Sequence, residues 1–538
     1  MHFNKKISKD KLSIFFLFLI FLFIGLNSFQ DYGVSIDEYY HYTNGQHYYS
    51  FFKGIFFEGN EYLTRAELKD SFKHHHFKDP AIFDFIISFF IDIFDLKKLE
   101  NIFFLRHLII FLIFFTGTFY FSLILQENFN NKILIYLGLL FLILSPRIFA
   151  NSFYNNKDLI FLSVSCIFFY YSINFFLRPS YINALLFSIF SALAFDIRIM
   201  AIIYIFVFYV MIFLYYLDEK KEFYKKIKYY FAAVLLSIIF VYIFWPYLWI
   251  APLENLVDFF TVIRGETPSM QNLYLGNYIF SKNIPWHYEI VWIFVTSPFT
   301  IILLFFVGYI SNIFTFSKNI MGVESPQHKF WFNKKQFISL YIFCAFTVTF
   351  FVKLKFGVMY GGWRQIYYLY PLMIFIGLIG LEHLIKKINR KPITNILFLL
   401  LSIELLFLAS WNYKNHPFQY VFFNPIFKTF TKNNFDLDYW GISNKFILKK
   451  ILEINNNKPL KVTTISFTNL NDSLRVLPIK DRKKISIVYN VDEADYVIDN
   501  YMKKWSSTSG EQNLNNHFNV IYNLIIDENI INTVYRRK

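Results

Sequence analysis

The chain has 538 residues, 56% of them hydrophobic and 17% charged, too few polar residues to clothe a soluble protein of this size. A formal net charge of +15 would suggest nucleic acid for a soluble chain. Here the basic residues gather in short segments between apolar runs, as in cytoplasmic loops beside anionic lipid, so no nucleic-acid partner is expected. Cys166 and Cys344 both sit inside apolar runs, which excludes a disulfide framework and a cysteine metal site.

The first apolar run, residues 12–28, follows Lys5, Lys6, Lys9 and Lys11 and has no small-residue cleavage site, so it reads as a retained anchor. A long polar stretch, 29–101, comes next. It holds the adjacent acids Asp37 and Glu38, with His41 close behind. It also holds the amphipathic segment 81–94, short and interrupted by Asp84 and Asp92, which suits a helix lying in the interface. Apolar runs read as spans then follow at 102–125, 133–150, 159–177, 182–195, 200–217, 229–249, 289–310, 337–352, 366–385 and 393–411.

That makes about eleven spans, provided the run 182–217 is two, hinged at Asp196-Ile197-Arg198. Only then do the basic segments KKISKDK, DEKKEFYKKIK, 318–335 and KKINRK all fall on the cytoplasmic side. The same alternation puts the acid pair, the 151–158 turn, Asp196 and Arg198, the 251–287 loop and 361–364 together on the outer side. From about Tyr413 short β-like runs (461–467, 485–489, 495–499, 519–526, 531–536) surround a helix-like 444–453. The expected fold is a polytopic α-helical membrane domain over 1–412, with 29–101 as its first outer loop. A small extracytoplasmic α/β domain over 413–538 completes it. The protein is expected in the plasma (inner) membrane, with its N-terminus cytoplasmic.

An acid pair just outside a span can take a proton from an attacking hydroxyl, although adjacent carboxylates are also common on solvated loops. Charges within or at the mouth of spans tip that balance, because each costs about 2.5–3.5 kcal/mol at a helix centre and needs a partner or a task. Arg106 and His107 open the second span. Arg147 lies near the outer end of the third, with Lys157 and Asp158 beyond it. Asp196 and Arg198 flank the next outer turn, and Arg364 closes YGGWRQ, which begins at Tyr360. Arg presents a planar fork suited to phosphate. The set therefore reads as a pocket for an anionic head group beside a carboxylate base, with His41, His76 and Tyr360 as further candidates for the acceptor loop. The run His74-His75-His76 does not read as a metal site, since consecutive side chains diverge. No HExxH, CxxC, P-loop or GxGxxG occurs, and neither metal nor cofactor is expected.

These residues carry a family resemblance. Asp37-Glu38 followed by His41, in the first outer loop, resembles the acid-pair motif of protein O-mannosyltransferases. More broadly it is similar to the GT-C membrane glycosyltransferases, which include the lipid A aminoarabinose transferases and the bacterial family 39 enzymes. LRHLIIFL (105–112), LSPRIFANSFYNNKD (144–158), IPWHYEIVWIFVTSP (284–298), YGGWRQIYYLYPLM (360–373), HPFQYVFFNP and DYWGIS resemble further motifs of that superfamily, in order, over about the first 445 residues. The resemblance implies a GT-C-like fold and a polyprenyl-phosphate-linked sugar donor. It also implies transfer to a lipid, glycan or protein acceptor on the outer side, with inversion at the anomeric carbon. Adjacency alone leaves open whether Asp37 or Glu38 is the base; by resemblance Asp37 matches it, Glu38 its neighbour, and Arg106 an active-site Arg. Relatives often carry Arg-His where this chain has Arg364-Gln365, and the C-terminal domain does not resemble the lectin-like domains of eukaryotic members.

Two rivals have less support. A lipid-pyrophosphate-dependent polysaccharide polymerase or ligase also uses outer-loop Arg, but does not lead with an acid pair after the first span. A lipid or sugar transporter tends to have paired halves with broken helices at the midplane, and this chain has no such symmetry.

Overall fold

Long apolar segments without internal proline become helices, because inside a bilayer each backbone N–H and C=O must find its partner within the segment. The computed structural model describes residues 9–57, 81–265, 270–320, 333–503, 514 and 517–538. Among them, eight helices are long and apolar enough to cross a membrane, by length and composition. They are Leu99–Asn128, Asp158–Leu177, Ala201–Asp218, Lys220–Phe244, Phe299–Lys318, Lys334–Phe356, Arg364–Ile388 and Lys391–Lys414. The protein is thus a multi-pass helical membrane protein. The pair Lys132–Leu144 and Pro146–Tyr154 adds a ninth if counted as one span. The two other expected spans are the apolar helices Leu12–Ser28 and Tyr181–Ile197, both in the 10–17-residue range.

Two expected spans are broken where proline enters. Proline lacks an N–H and pushes the residue before it out of the helical region. Ser145, before Pro146, is extended (φ −61°, ψ 112°), and the chain turns by 58° there. Ser297, before Pro298, is likewise extended (φ −93°, ψ 155°), which separates Tyr288–Thr296 from Phe299–Ile320. The first break aims Arg147, Asn151 and Asn155 away from the axis of the preceding apolar helix.

The amphipathic segment forms the helix Ile82–Ile93. Phe83, Asp84, Ile87, Ser88 and Ile91 are its buried face, while Ile86, Phe89 and Ile93 are exposed. It lies against the helix Glu38–Phe56, and the two approach closely because Gly45 has no side chain where the Asp84 carbonyl sits.

The C-terminal region folds as one mixed five-stranded sheet in the order β4-β3-β5-β7-β6. Its strands are β3 (Leu460–Thr464), β4 (Ile485–Ile487), β5 (Tyr496–Asp499), β6 (Phe518–Ile526) and β7 (Asn529–Arg537). β4 and β5 flank β3 in parallel, while β7 runs antiparallel to both β5 and β6. The helix Asn444–Ile454 covers this sheet with Ile447, Leu448, Ile451 and Leu452, which pack on Val462, Ile498 and Val534. A separate hairpin, β1 (Gln271–Tyr274) and β2 (Asn277–Phe280), links to the stretch before that helix through the Tyr274–Phe435 bridge.

Candidate active site

Asp37 is the residue at which the helix Glu38–Phe56 begins. An aspartate in that position ordinarily accepts from the first free N–H groups of the helix. This one makes no capping hydrogen bond, so its carboxylate is not consumed by its own backbone. It is half-buried. Loss of water pushes its pKa above the usual carboxylate range, and Arg364, Lys157 and Arg198 pull against that while Asp158 adds to it.

Glu38 points the other way and is fully buried. Its Oε2 accepts the Ser35 N–H at 2.7 Å, and its Oε1 lies 3.1 Å from His107 Nε2. His107 Nδ1 lies 3.1 Å from the Phe29 carbonyl. A carbonyl only accepts, so Nδ1 carries the proton of that bond.

The charged residues singled out in the sequence separate into three groups. Asp158 holds the first: Arg364 Nη1 donates to its Oδ2 at 2.8 Å and Arg198 Nη2 pairs with its Oδ1. Asn155 also donates to Asp158 Oδ2, at 3.1 Å, and its own Oδ1 accepts the Asp158 N–H at 2.9 Å, fixing the start of the helix Asp158–Leu177. Asp84 holds the second group. Arg106 Nη2 donates to its Oδ1 at 2.6 Å, and His41 Nδ1 stands 3.6 Å from its Oδ2. Burial lowers the His41 pKa well below the ordinary range, with Lys157 and Arg106 adding to it, so its ring is neutral near pH 7. Lys157 acts electrostatically on Asp37, His41 and Asp84. Arg147 is the third. It stacks between Trp292 (5.1 Å) and Phe423 (4.9 Å) and donates to the Phe422 carbonyl at 2.9 Å. His76 lies outside the described residues, as do His74 and His75.

YGGWRQ is shaped to deliver Arg364. Gly361 and Gly362 both adopt positive φ (66° and 73°), and a Cβ on Gly361 would lie 2.9 Å from Arg364 Nε and 3.1 Å from the Tyr439 ring. The Gly361 N–H donates to Asn272 and the Gly362 N–H to the Tyr288 hydroxyl, each at 3.0 Å. Arg364 then lies within 4.9 Å of the Tyr360 and Tyr439 ring centres and 4.5 Å of the Trp440 ring. Arg147 and Arg364 share the lining of one narrow cleft of about 30 Å³. Several guanidinium nitrogens have no hydrogen-bond partner among the described residues: Nε of Arg198 and Arg364, Nη2 of Arg147, and Nε and Nη1 of Arg106. A buried charged donor left unmatched costs about 1–3 kcal/mol or more, so an anion with several oxygens is the chemical complement of this site.

No protein-family model matches the chain, and no curated protein does. Among solved structures, ArnT from Cupriavidus metallidurans is similar, both in the apo state and bound to undecaprenyl phosphate. Each matches with a TM-score of 0.46 at 11% identity, over 97% of this chain and 98% or 97% of the other. At that distance no chemistry is carried across, and function is argued from the side chains.

Other participants escape a reading by motif. Asp84 is the buried acid of its apolar helix, the situation that demands a partner, and Arg106 is a partner. Tyr439 and Trp440 come from the stretch after the last apolar helix and box Arg364. From the same region the Ile36 N–H donates to the Trp440 carbonyl at 3.2 Å. Lys445 Nζ donates to three carbonyls just past the first helix, Gln30 at 2.7 Å, Tyr32 at 3.0 Å and Asp31 at 3.3 Å. Burial pushes that amine down to about 8. Among the described residues no three His, Cys, Asp or Glu side chains gather as a metal ion requires.

Proposed function

We propose that the protein is a membrane glycosyltransferase that moves a sugar from a polyprenyl-phosphate donor to an acceptor hydroxyl on the extracytoplasmic face. The observation that carries this reading is an uncapped, half-buried Asp37 within electrostatic reach of Arg364 and Arg198, whose unmatched guanidinium nitrogens suit phosphate oxygens. Asp37 takes the proton of the acceptor hydroxyl as that oxygen attacks the anomeric carbon from the side opposite the phosphate. The bond between the anomeric carbon and the phosphate oxygen breaks and its electron pair stays on phosphate. The growing negative charge there is met by fixed arginine donors. A single displacement of this kind inverts the anomeric centre, and the departing phosphate needs no proton. Glu38 holds the loop and orients Asp37 from behind.

The eleven-span reading belongs to the same proposal: the eight long helices, the bent pair as one span, and the shorter apolar helices 12–28 and 181–197. With the basic loops inside, an odd number of spans leaves the region after residue 412 outside, as an extracytoplasmic domain over 413–538. Two experiments test these claims. Radiolabelled sugar transfer in membranes with matched expression should collapse for Asp37→Asn; a full-rate variant removes the carboxylate from the mechanism. A C-terminal alkaline phosphatase fusion should be active, and an inactive one with an active cytoplasmic reporter at the same site refutes the topology.

A further inference from the structure

Beyond the arginine cleft lies a second and larger one, of about 350 Å³, between the β1–β2 hairpin and the C-terminal sheet region. Asp436 and Leu437 line both clefts, so they form a common wall. On the far side the lining includes Tyr278, Tyr501, Phe435, Asn433 and Asn500. Three rings, two amides and one carboxyl share the lining with Leu273, Leu437, Met502 and Ile530; no Arg or Lys is among the described lining residues, and Lys503 Nζ lies 4.3 Å over the Tyr278 ring. That chemistry is opposite to the cationic cleft next door. It offers no cation to a phosphate from its lining, and its mix of rings, amides and apolar side chains suits a neutral ligand with several hydroxyls and an apolar ring face.

The cleft is also held in a costly shape. Tyr501 has φ +62° and Leu275 φ +51°, a region that side chains larger than Gly enter at a cost of about 1–2 kcal/mol. Tyr501 is fixed there by its N–H on Asp499 Oδ1 (2.8 Å) and its hydroxyl 2.5 Å from Thr533, and Tyr278 donates to its carbonyl at 3.5 Å. Tyr278 and Tyr501 nevertheless each leave 38% of their surface exposed. Asp436 anchors the wall: both carboxylate oxygens face the Leu273 N–H at 3.1 Å, and the Asp436 N–H returns to the Leu273 carbonyl at 3.2 Å. Burial raises its pKa to about 7.

We infer that this cleft binds the saccharide portion of the acceptor, seating its rings on Tyr278 and Tyr501 and presenting a hydroxyl past Asp436 and Leu437 to the arginine cleft. The inference rests on the proposed glycosyltransferase reading and narrows its acceptor from lipid, glycan or protein to a glycan-bearing one.

The test uses the full chain in lipid nanodiscs and saturation-transfer NMR with four neutral probes, cellobiose, maltotriose, mannobiose and chitobiose. At least one probe should take up saturation from the wild-type protein. Tyr278→Leu removes the ring-edge hydroxyl and aromatic face, and Ile530→Trp fills the mouth of the cleft from an exposed position. Each variant should weaken that probe about tenfold or more. Silence from all four probes overturns the inference, as does wild-type binding in both variants. Arg364→Lys separates the two claims, because it should spoil donor use and leave probe binding intact. If donor use survives in that variant, Arg364 is not the phosphate contact and the sugar site stands; if the wild-type protein uses no polyprenyl-phosphate donor while the cleft still binds sugar, the transferase reading fails and the sugar site stands.

Discussion

Asp37 and Glu38 are neighbours in the chain, yet the regions they face share almost nothing. On the Asp37 side stand Arg364, Lys157, Arg198 and Asp158, with access to solvent and no capping bond. On the Glu38 side everything is closed: the carboxylate is fully buried, one oxygen is bound to the Ser35 N–H and the other is pressed against His107. A helix start produces this divergence, since consecutive side chains leave the axis about 100° apart. A proton acceptor needs open lone pairs and a route for the donor hydroxyl, and only the first side has them. Glu38 has the surroundings of a bracket.

The sharpest break of this contrast is a pair of isosteric substitutions. Asp37→Asn should cut transfer by about 10²–10⁴-fold, the contribution of a positioned base, while donor binding persists; Glu38→Gln should cost clearly less. Equal losses in a radiolabelled transfer assay would erase the distinction. Next in size is Arg364→Lys, which keeps the charge but loses the fork between Asp158 and Tyr439. A charged hydrogen bond is worth about 1.5–3 kcal/mol, so donor kcat/KM should fall roughly 10- to 150-fold. Tyr360 supports the same guanidinium from a ring face, and Tyr360→Leu should lose about 0.5–2 kcal/mol of that stabilisation, read as a smaller drop in kcat/KM.

The pH profile sharpens the contrast further. A base must be unprotonated, so activity should fall as pH drops through the Asp37 pKa, and burial sets that limb above the range of an ordinary aspartate. Asp37→Asn should flatten this acid limb in its residual activity, whereas Glu38→Gln should leave it in place. The smallest effect on turnover, and the clearest on stability, belongs to Glu38→Gln. It keeps an acceptor for Ser35 but removes the charge facing His107, and thermal unfolding in detergent should show a loss of about 1–3 kcal/mol.

Membrane class and the β-runs after residue 460 were legible in the sequence, because hydropathy and alternation are local signals. The acid pair was legible for the same reason. Which arginine meets which acid was not. Arg106 and Asp84 are 22 residues apart and Arg364 and Asp158 are 206 apart, so their pairing depends on tertiary packing. Arg147 looked like its fellow arginines by position, yet it rests on Trp292 and Phe423 without a carboxylate at hand among the described residues. The breaks at Pro146 and Pro298 were within reach of local rules. Apolar residues continue on both sides of each proline, which is why 133–150 and 289–310 read as unbroken.

The ammonium of Lys445 gathers the carbonyls of Gln30, Asp31 and Tyr32, more than 400 residues earlier in the chain. Translation therefore finishes the Asp37 loop long after making it. A nascent chain would have inserted its first helix and carried Asp37 out of the ribosome while the residues that fix the loop were still unmade. Neither the Lys445 clamp nor the Trp440 carbonyl that receives Ile36 yet exists at that moment. Synthesis order then acts as a safety catch, and a polypeptide stalled or cut before residue 440 would sit in the membrane with its acids present and its chemistry unassembled.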